Sequence, residues 1–400
     1  MNILFLADAV FDDIPGGSRV VARELACGLV GRGHQVTILA AHQTPGTPSD
    51  THIGAVRVVR YPGAGDPLAF VREGRRACAR LWAERPFDVV HTHFAYAALG
   101  PLQAVPASVP RVRTFHGPWD EEGWLEDSHR GGLVGTVKAH VKRRLRYQVE
   151  RASLAGSARV LTLSECFRQM VVERYGVPLG KVESIPGGTD TDRFQPVMDK
   201  QAVRQRLGLP LDRTLLLSIR RLAPRMGLDN LLRALPAVVA RRPDALLLIG
   251  GKGPERAPLE RLIAELGLEA HVRLLGFIPD DALAAHYQAA DLFVLPTLAL
   301  EGFGLVTVEA LACGLPVVGT PVGATPEILE GLDKRLVATG IAPDALAQAI
   351  LGCFDGDWSA GLTPERLHRF VAQHYTWDQH VADTEKVYHS LLSAPQAALA

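Results

Sequence analysis

Two glutamates, Glu301 and Glu309, flank seven residues that include Gly302, Phe303, Gly304, Leu305 and Val306. The glycines free the backbone. A helix starting after them would offer the amides of Gly304 to Thr307 to an anion such as a diphosphate. The two carboxylates could hold hydroxyls of a sugar and of a ribose. The helix dipole favours an acidic residue near a helix start in any protein; that accounts for either glutamate alone, but not for both together with the glycines. Arg220, Arg221 and Arg225 form a second group. Guanidiniums grip phosphate through paired hydrogen bonds, and a solvated basic turn is the plainer alternative. Gly16 and Gly17 would let the backbone approach a phosphate closely, or would simply make a tight turn. His91 and His93 share one face of a strand. They could form a metal pair, for which no third ligand is evident, or be ordinary buried or loop histidines. His116 ends another strand, and the glycine and long stretch behind it favour a functional role.

Short apolar runs alternating with amphipathic stretches position these residues. Asn2–Ala7, Gln35–Ala40, Asp88–His91, Arg111–Phe115, Arg159–Leu163 and Val182–Ile185 read as strands. Ser18–Arg32 and Pro67–Glu84 read as helices between them. The pattern restarts with strands at Thr214–Ile219, Ala245–Ile249, Val272–Leu275, Asp291–Leu295 and Pro316–Gly319. Strand–helix alternation implies parallel sheets covered on both faces. The expected organisation is a first domain over 1–196, a second over 197–375, and a terminal helix in 376–400 that crosses back to the first. Gly117–Gly132, rich in Pro, Gly, Trp and acidic residues, reads as a long ordered insertion without period.

Lys plus Arg and Asp plus Glu are 43 each in a chain of 400 residues, which argues against binding nucleic acid by bulk charge. With 47% hydrophobic residues the chain has ample core material. Its start lacks a basic region and meets Asp8 early, so no signal peptide is expected. No apolar run approaches the ~20 residues of a membrane helix. The five cysteines are widely spaced and suggest neither a disulfide framework nor a metal site, so a cytoplasmic location is expected.

Glu301 and Glu309 resemble the EX7E motif of retaining GT-B glycosyltransferases, family four in particular. Further motifs follow in order. Pro15-Gly16-Gly17 is similar to the family's glycine loop, Thr114-Phe115-His116-Gly117 to its TxHG segment, and Gly250-Gly251-Lys252-Gly253-Pro254 to its GxGP turn. Ala310–Val318 resembles the helix and strand after EX7E. The resemblance implies an α/β fold of two facing Rossmann-like, doubly wound domains with a cleft between. It implies transfer of a hexose-type sugar from a UDP- or GDP-linked donor to a hydroxyl acceptor, by a front-face mechanism needing neither metal nor cofactor. Gly16 and Gly17 would approach the donor phosphate, His116 the sugar near the reacting carbon, and Arg221 the diphosphate together with the amides after Gly302. Glu301 would hold hydroxyls of the transferred sugar, and Glu309 the ribose. The family usually carries Lys before the glycine of its Arg-rich motif, where this chain has Met226; Arg225 or Lys252 is the expected substitute.

The acceptor could be a saccharide, a lipid-linked molecule or a small hydroxyl compound. Lys138–Arg151 is strongly basic. It suits either an anionic membrane surface, giving weak peripheral contact at the inner face, or the solvated side of a helix whose Val141, Leu145 and Val149 pack inward. The second reading is the expected one. Trp119 and Trp124 could stack on a sugar or pack their own loop. Alternatives to a transferase are a sugar-nucleotide epimerase of the same architecture and a non-catalytic nucleotide-sugar binder.

Overall fold

The computed structural model describes residues 1–10, 16–42, 46–62, 66–127, 133–355 and 361–393. The strands with the longest apolar runs are buried along their whole length. Thr214–Ile219 and Ala245–Gly250 expose no residue, as a parallel strand covered by helices on both faces requires. The chain divides into two compact units, Met1–Gly187 joined by the segment from Trp377 onward, and Gly188–Thr376.

The first unit holds β1 (Asn2–Ala7), β2 (Gln35–His42), β3 (Asp50–Ile53), β4 (Val56–Pro62), β5 (Val89–Thr92), β6 (Arg111–Phe115), β7 (Arg159–Thr162) and β8 (Val182–Ser184). Their order across the sheet is β3-β4-β2-β1-β5-β6-β7-β8. All pairings are parallel except β3 with β4, a hairpin whose register Ile53↔Val56 leaves Gly54 and Ala55 as its turn. The order reverses between β1 and β5, so the loops leaving those strands diverge there. Such a switch point opens a crevice at the carboxyl ends of a doubly wound sheet.

The second unit holds β9 (Thr214–Ile219), β10 (Ala245–Gly250), β11 (Val272–Gly276), β12 (Leu292–Leu295) and β13 (Val317–Gly319), all parallel, in the order β11-β10-β9-β12-β13. Its switch point lies between β9 and β12. The unit begins ahead of the Phe194–Val197 stretch. Thr189 already bridges to Thr376, and the Phe194 ring lies 6.0 Å from that of Tyr287, both within this unit.

Two sequence expectations need correction. The hairpin β3–β4 was not anticipated. The Gly117–Gly132 stretch is not irregular throughout: Trp119–Asp127 is a helix, with Asp120, Glu121 and Glu122 in its first turn where the dipole favours them. Residues 128–132 lie outside the described part of the chain. A long basic helix, Leu133–Ala155, follows.

The C-terminal helix, Trp377–Ser393, buries Val381, Val387, Tyr388 and Leu391 in the core of the first unit, with Ile3, Phe5, Leu25 and Leu29. A side chain at Gly28 of the first helix, Gly17–Gly31, would collide with Val381, so this crossing depends on that glycine.

Candidate active site

In the second unit, the two segments that diverge from the switch point meet again through side chains. Arg220 is the first residue after β9 and is only 9% exposed. Its guanidinium donates to Thr297 Oγ1 at 2.6 Å, to Glu301 Oε2 at 2.6 Å and to Met226 Sδ at 3.1 Å. Thr297 in turn donates to Glu301 Oε2 at 2.8 Å. Burial raises the affinity of Glu301 for a proton, but the charge and hydrogen bond of Arg220, the Thr297 bond and the charge of Arg225 outweigh it. The carboxyl is held below its ordinary range.

The backbone around Glu301 is specified closely. Leu300 has φ 60°, the one described non-glycine residue at positive φ, a conformation that costs on the order of 1 kcal/mol. Arg225 Nη1 donates to the Leu300 carbonyl at 3.0 Å, and the Glu301 carbonyl accepts from the Ala324 amide at 2.9 Å. Gly227 is needed for this approach: at φ +69° it faces the Pro296 carbonyl, where any Cβ would collide.

Gly304, at φ +89°, opens the helix Leu305–Ala312. The Thr307 amide is given to the Gly304 carbonyl at 2.8 Å, so Leu305 and Val306 are left to offer theirs. Thr307 Oγ1 is buried and has no hydrogen-bond partner. Phe303 is buried against Tyr375, ring centroids 5.8 Å apart, and Gly302 is half-buried. Glu309 projects from the same helix and accepts from Tyr287 Oη at 2.8 Å. Burial pushes its pKa up to about 7, against the Tyr287 bond and the charge of Arg193.

The basic residues separate. Arg221 is exposed, whereas Arg220 beside it turns inward. Lys252 is exposed and lies 4.9 Å from the Phe277 ring centroid. Of the cations named from the sequence, Arg220 bonds to the Glu301 carboxylate and Arg225 to the neighbouring Leu300 carbonyl. From the sequence Arg220 is expected, with Arg221 and Arg225, at a phosphate rather than at Glu301, and no motif marks Tyr287.

In the first unit, histidines gather at the carboxyl ends of β5 and β6. The His91 and His93 rings stack with centroids 4.4 Å apart, and those of His93 and His116 at 5.5 Å. His93 Nδ1 and His116 Nε2 are 3.2 Å apart. His91 spends both nitrogens within the protein, 2.5 Å from Tyr388 Oη and 2.7 Å from Thr114 Oγ1, so it has none to give a metal. His93 Nε2 and His116 Nδ1 are buried without partners. Burial, with the nearby charges of Arg113 and His380, pushes His116 down to about 3, so it is a neutral imidazole at pH 7. Beneath lies a buried pair, Arg113 Nη2 to Glu150 Oε1 at 2.7 Å.

Gly16 precedes the first helix, and its carbonyl accepts from Arg19 and Val20 at 3.1 and 3.0 Å; Gly17 is exposed. Pro15 lies outside the described residues. Trp119 packs against Phe94 and Tyr96 with Arg146 over its ring. Trp124 packs against His140 with Arg143 over it. On the basic helix the expected inward stripe is mostly turned out: Val141 and Leu145 are 55% and 62% exposed and Val149 is half-buried, while Ala139, Glu150 and Leu154 take the buried positions. Val137, one turn earlier, is 63% exposed.

Both units match known proteins. Residues 199–371 match the family model described as Glycosyl transferases group 1, and residues 15–193 the one described as Glycosyltransferase Family 4. A GDP-mannose-dependent alpha-(1-6)-phosphatidylinositol monomannoside mannosyltransferase of Mycolicibacterium smegmatis is 32% identical over 342 residues, 82% of this chain and 83% of that one. A phosphatidyl-myo-inositol mannosyltransferase of the same organism is 31% identical over 96% of this chain and 92% of that one. Among solved structures, sucrose-phosphate synthase from Thermosynechococcus elongatus superposes with TM-score 0.81 at 24% identity, covering 98% of this chain and 100% of that one. Anabaena HepE in complex with UDP and glucose does so with TM-score 0.73 at 21% identity, covering 97% and 99%. Matched along both units, the chain belongs to the group 1, family 4 glycosyltransferases, and its paired Rossmann-like units are those of the GT-B fold.

Proposed function

We propose that this glycosyltransferase moves a hexose from a GDP- or UDP-linked donor to an acceptor hydroxyl, with retention of anomeric configuration and without a metal ion. The observation that carries this reading is the state of Glu301. It is buried and its carboxyl is held below the ordinary range, with one oxygen tied to Arg220 and Thr297 and the other 3.6 Å from the point where a Cβ would stand on Gly304. Such a carboxylate suits sugar hydroxyls, while the amides of Leu305 and Val306 suit the diphosphate. Glu309 would take the ribose. Arg221, exposed just after β9, would reach the phosphates, with Arg225 and Lys252 as further cations and Gly16 and Gly17 as a backbone approach from the first unit.

Cationic and amide stabilisation of the leaving diphosphate would supply what a divalent ion supplies elsewhere. The departing phosphate would take the acceptor proton in a front-face displacement. His116, neutral, would lie against the sugar without adding positive charge near a developing oxocarbenium centre. GDP-mannose is the first donor to test, since the mycobacterial relative is named for it. Glu301→Ala should lower turnover on the order of a hundred- to a thousandfold with the fold retained. Turnover within threefold of wild type would remove Glu301 from the site. An inverted product by NMR would overturn retention, and loss of activity in EDTA would overturn metal independence.

For the acceptor, a lipid-linked hydroxyl presented at the cytoplasmic membrane face is favoured by the outward Val137–Val141–Leu145 stripe, flanked by exposed Lys138, Lys142 and Arg144. No described helix is long and apolar enough to cross a membrane. An interfacial helix of this kind combines apolar burial with attraction to anionic headgroups. Flotation with phosphatidylglycerol vesicles tests it. Val141→Glu with Leu145→Glu should abolish binding, and wild-type protein that fails to float with the vesicles would end the membrane reading.

A further inference from the structure

Arg220 is placed as no other cation of the second unit is. Its amide donates to the Gly250 carbonyl at 2.9 Å, which fixes the backbone as it leaves β9. Its side chain then turns under the Pro296–Glu301 segment, against a buried Met226. Arg225 is spent in part on the Leu300 carbonyl, and Lys252 lies over Phe277. The Arg220 fork, by contrast, closes a triangle with Thr297 and Glu301 in which every contact is 2.8 Å or less.

We infer that Arg220 is the positioning residue of Glu301: it clamps Oε2 so that Oε1 is presented to the donor sugar at the Gly304 turn, and Met226 is the uncharged seat that lets it do so. This rests on the reading of Glu301 as the sugar-binding carboxylate. Oε1 lies 3.6 Å, and the unpartnered Thr307 Oγ1 3.1 Å, from the point where a Cβ would stand on Gly304, so both face one spot. A carboxylate this deeply buried needs a paired cation to stay ionised. The guanidinium meets that need while leaving the Glu301–Arg220 pair neutral, which avoids repelling a diphosphate.

Residues 220 and 226 then act as one unit. A lysine at 226 would set an ammonium against the guanidinium at the place where Sδ now sits, 3.1 Å away. With Arg220 removed, the same lysine would stand where it could serve Glu301. The cation of this site has two possible seats, and only one can be filled at a time.

The test is a two-residue cycle, Arg220→Met, Met226→Lys and the double variant, assayed for hydrolysis of GDP-mannose and UDP-glucose and for GDP and UDP affinity by calorimetry. Arg220→Met should lower kcat about a hundredfold, as misplacement of a reacting group does, with nucleotide affinity within about threefold. The acidic limb of its kcat profile should move upward by a pH unit or more as Glu301 loses its cation. Met226→Lys alone should lower kcat, and the double variant should recover at least about tenfold over Arg220→Met. If Arg220→Met does not fold, Arg220→Lys replaces it: reduced kcat with an unmoved acidic limb supports the clamp, and a moved limb overturns it. An Arg220→Met enzyme with near-normal kcat and an unmoved limb overturns it as well, as does a double variant no better than the single. Glu301→Ala keeps the two levels apart. If that variant is inactive while Arg220→Met is normal, only this inference fails; if Glu301→Ala is itself active, the site reading fails first.

Discussion

The two units solve one geometric problem with opposite electrostatics. Each has candidate site residues at the carboxyl ends of its strands, and each buries an Arg–carboxylate pair nearby: Arg113, within β6, with Glu150, and Arg220, just after β9, with Glu301. In the first unit the guanidinium is absorbed by structure, donating also to the carbonyls of Thr114 at 2.6 Å and Thr92 at 3.3 Å, and neutral histidines lie at the strand ends beside it. In the second unit the pair lies beside the Gly304 turn, with Glu301 Oε1 3.6 Å from the point where a Cβ would stand there, whereas the unpartnered Glu150 Oε2 is sealed in the interior of the first. The contrast shows that a buried ion pair beside a strand is not by itself a sign of function. What the remaining lone pairs face decides it.

The largest effect expected from this contrast is on stability. Glu150→Ala strands a fully buried guanidinium and should cost about 3–5 kcal/mol, read as a lowered melting temperature by calorimetry. Glu301→Ala should cost less stability and far more turnover. If the two variants exchange these phenotypes, the distinction between clasp and site is wrong.

Next in size is His93→Ala. It frees the His116 ring from its 3.2 Å partner and should lower kcat by about ten- to a hundredfold, with nucleotide affinity unchanged. An unaltered kcat would show that His116 is aimed by other contacts.

A smaller effect concerns Glu309. Its folded pKa of about 7 lies above the ordinary value, so the folded protein binds this proton more tightly than the unfolded chain. Its contribution to stability is therefore present at low pH and is lost as pH rises from about 4.5 toward 7. Binding to ribose hydroxyls runs the other way, because the carboxylate must be ionised to accept from them. Affinity for GDP or UDP should fall by up to about tenfold per unit as pH drops below about 7. Glu309→Gln should flatten that dependence, and a variant that keeps the wild-type pH slope would exclude Glu309 as its source.

Much of the fold is legible in the sequence because its central strands are plain apolar runs. Thr214–Ile219 is such a case, read from the sequence with the bounds it has in the structure. The hairpin β3–β4 is harder. It lies at the sheet edge, where Val56–Pro62 alternates buried and part-exposed residues and Asp50–Ile53 is mostly polar. A two-residue Gly-Ala turn between them was its available signal. The helix Trp119–Asp127 is hidden by composition, since Trp, Gly and Asp lower helix propensity and its support is tertiary, Asp120 being bonded by Tyr175 at 2.9 Å.

The candidate site is legible at Glu301, Glu309 and the glycines because backbone freedom and charge at fixed spacing leave a mark on sequence. The choice between Arg220 and Arg221 leaves none. A strand buried on both faces has no polar–apolar alternation to show which way the next side chain turns. Tyr287 is invisible for a different reason: it reaches Glu309 from a separate helix, and no local pattern announces that contact.

The position of the C-terminal helix bears on how the protein is made. Tyr388 supplies the hydroxyl that bonds His91, and Val381, Val387 and Leu391 complete the core around β1. On the ribosome, domains generally fold as units as they emerge. Here the first unit to be synthesised is the last that can close, because its final helix is translated only after the whole of the second unit. The second unit, continuous from Gly188 to Thr376, is free to fold in the meantime, so the half that holds Glu301 is expected to mature before the histidine half is assembled.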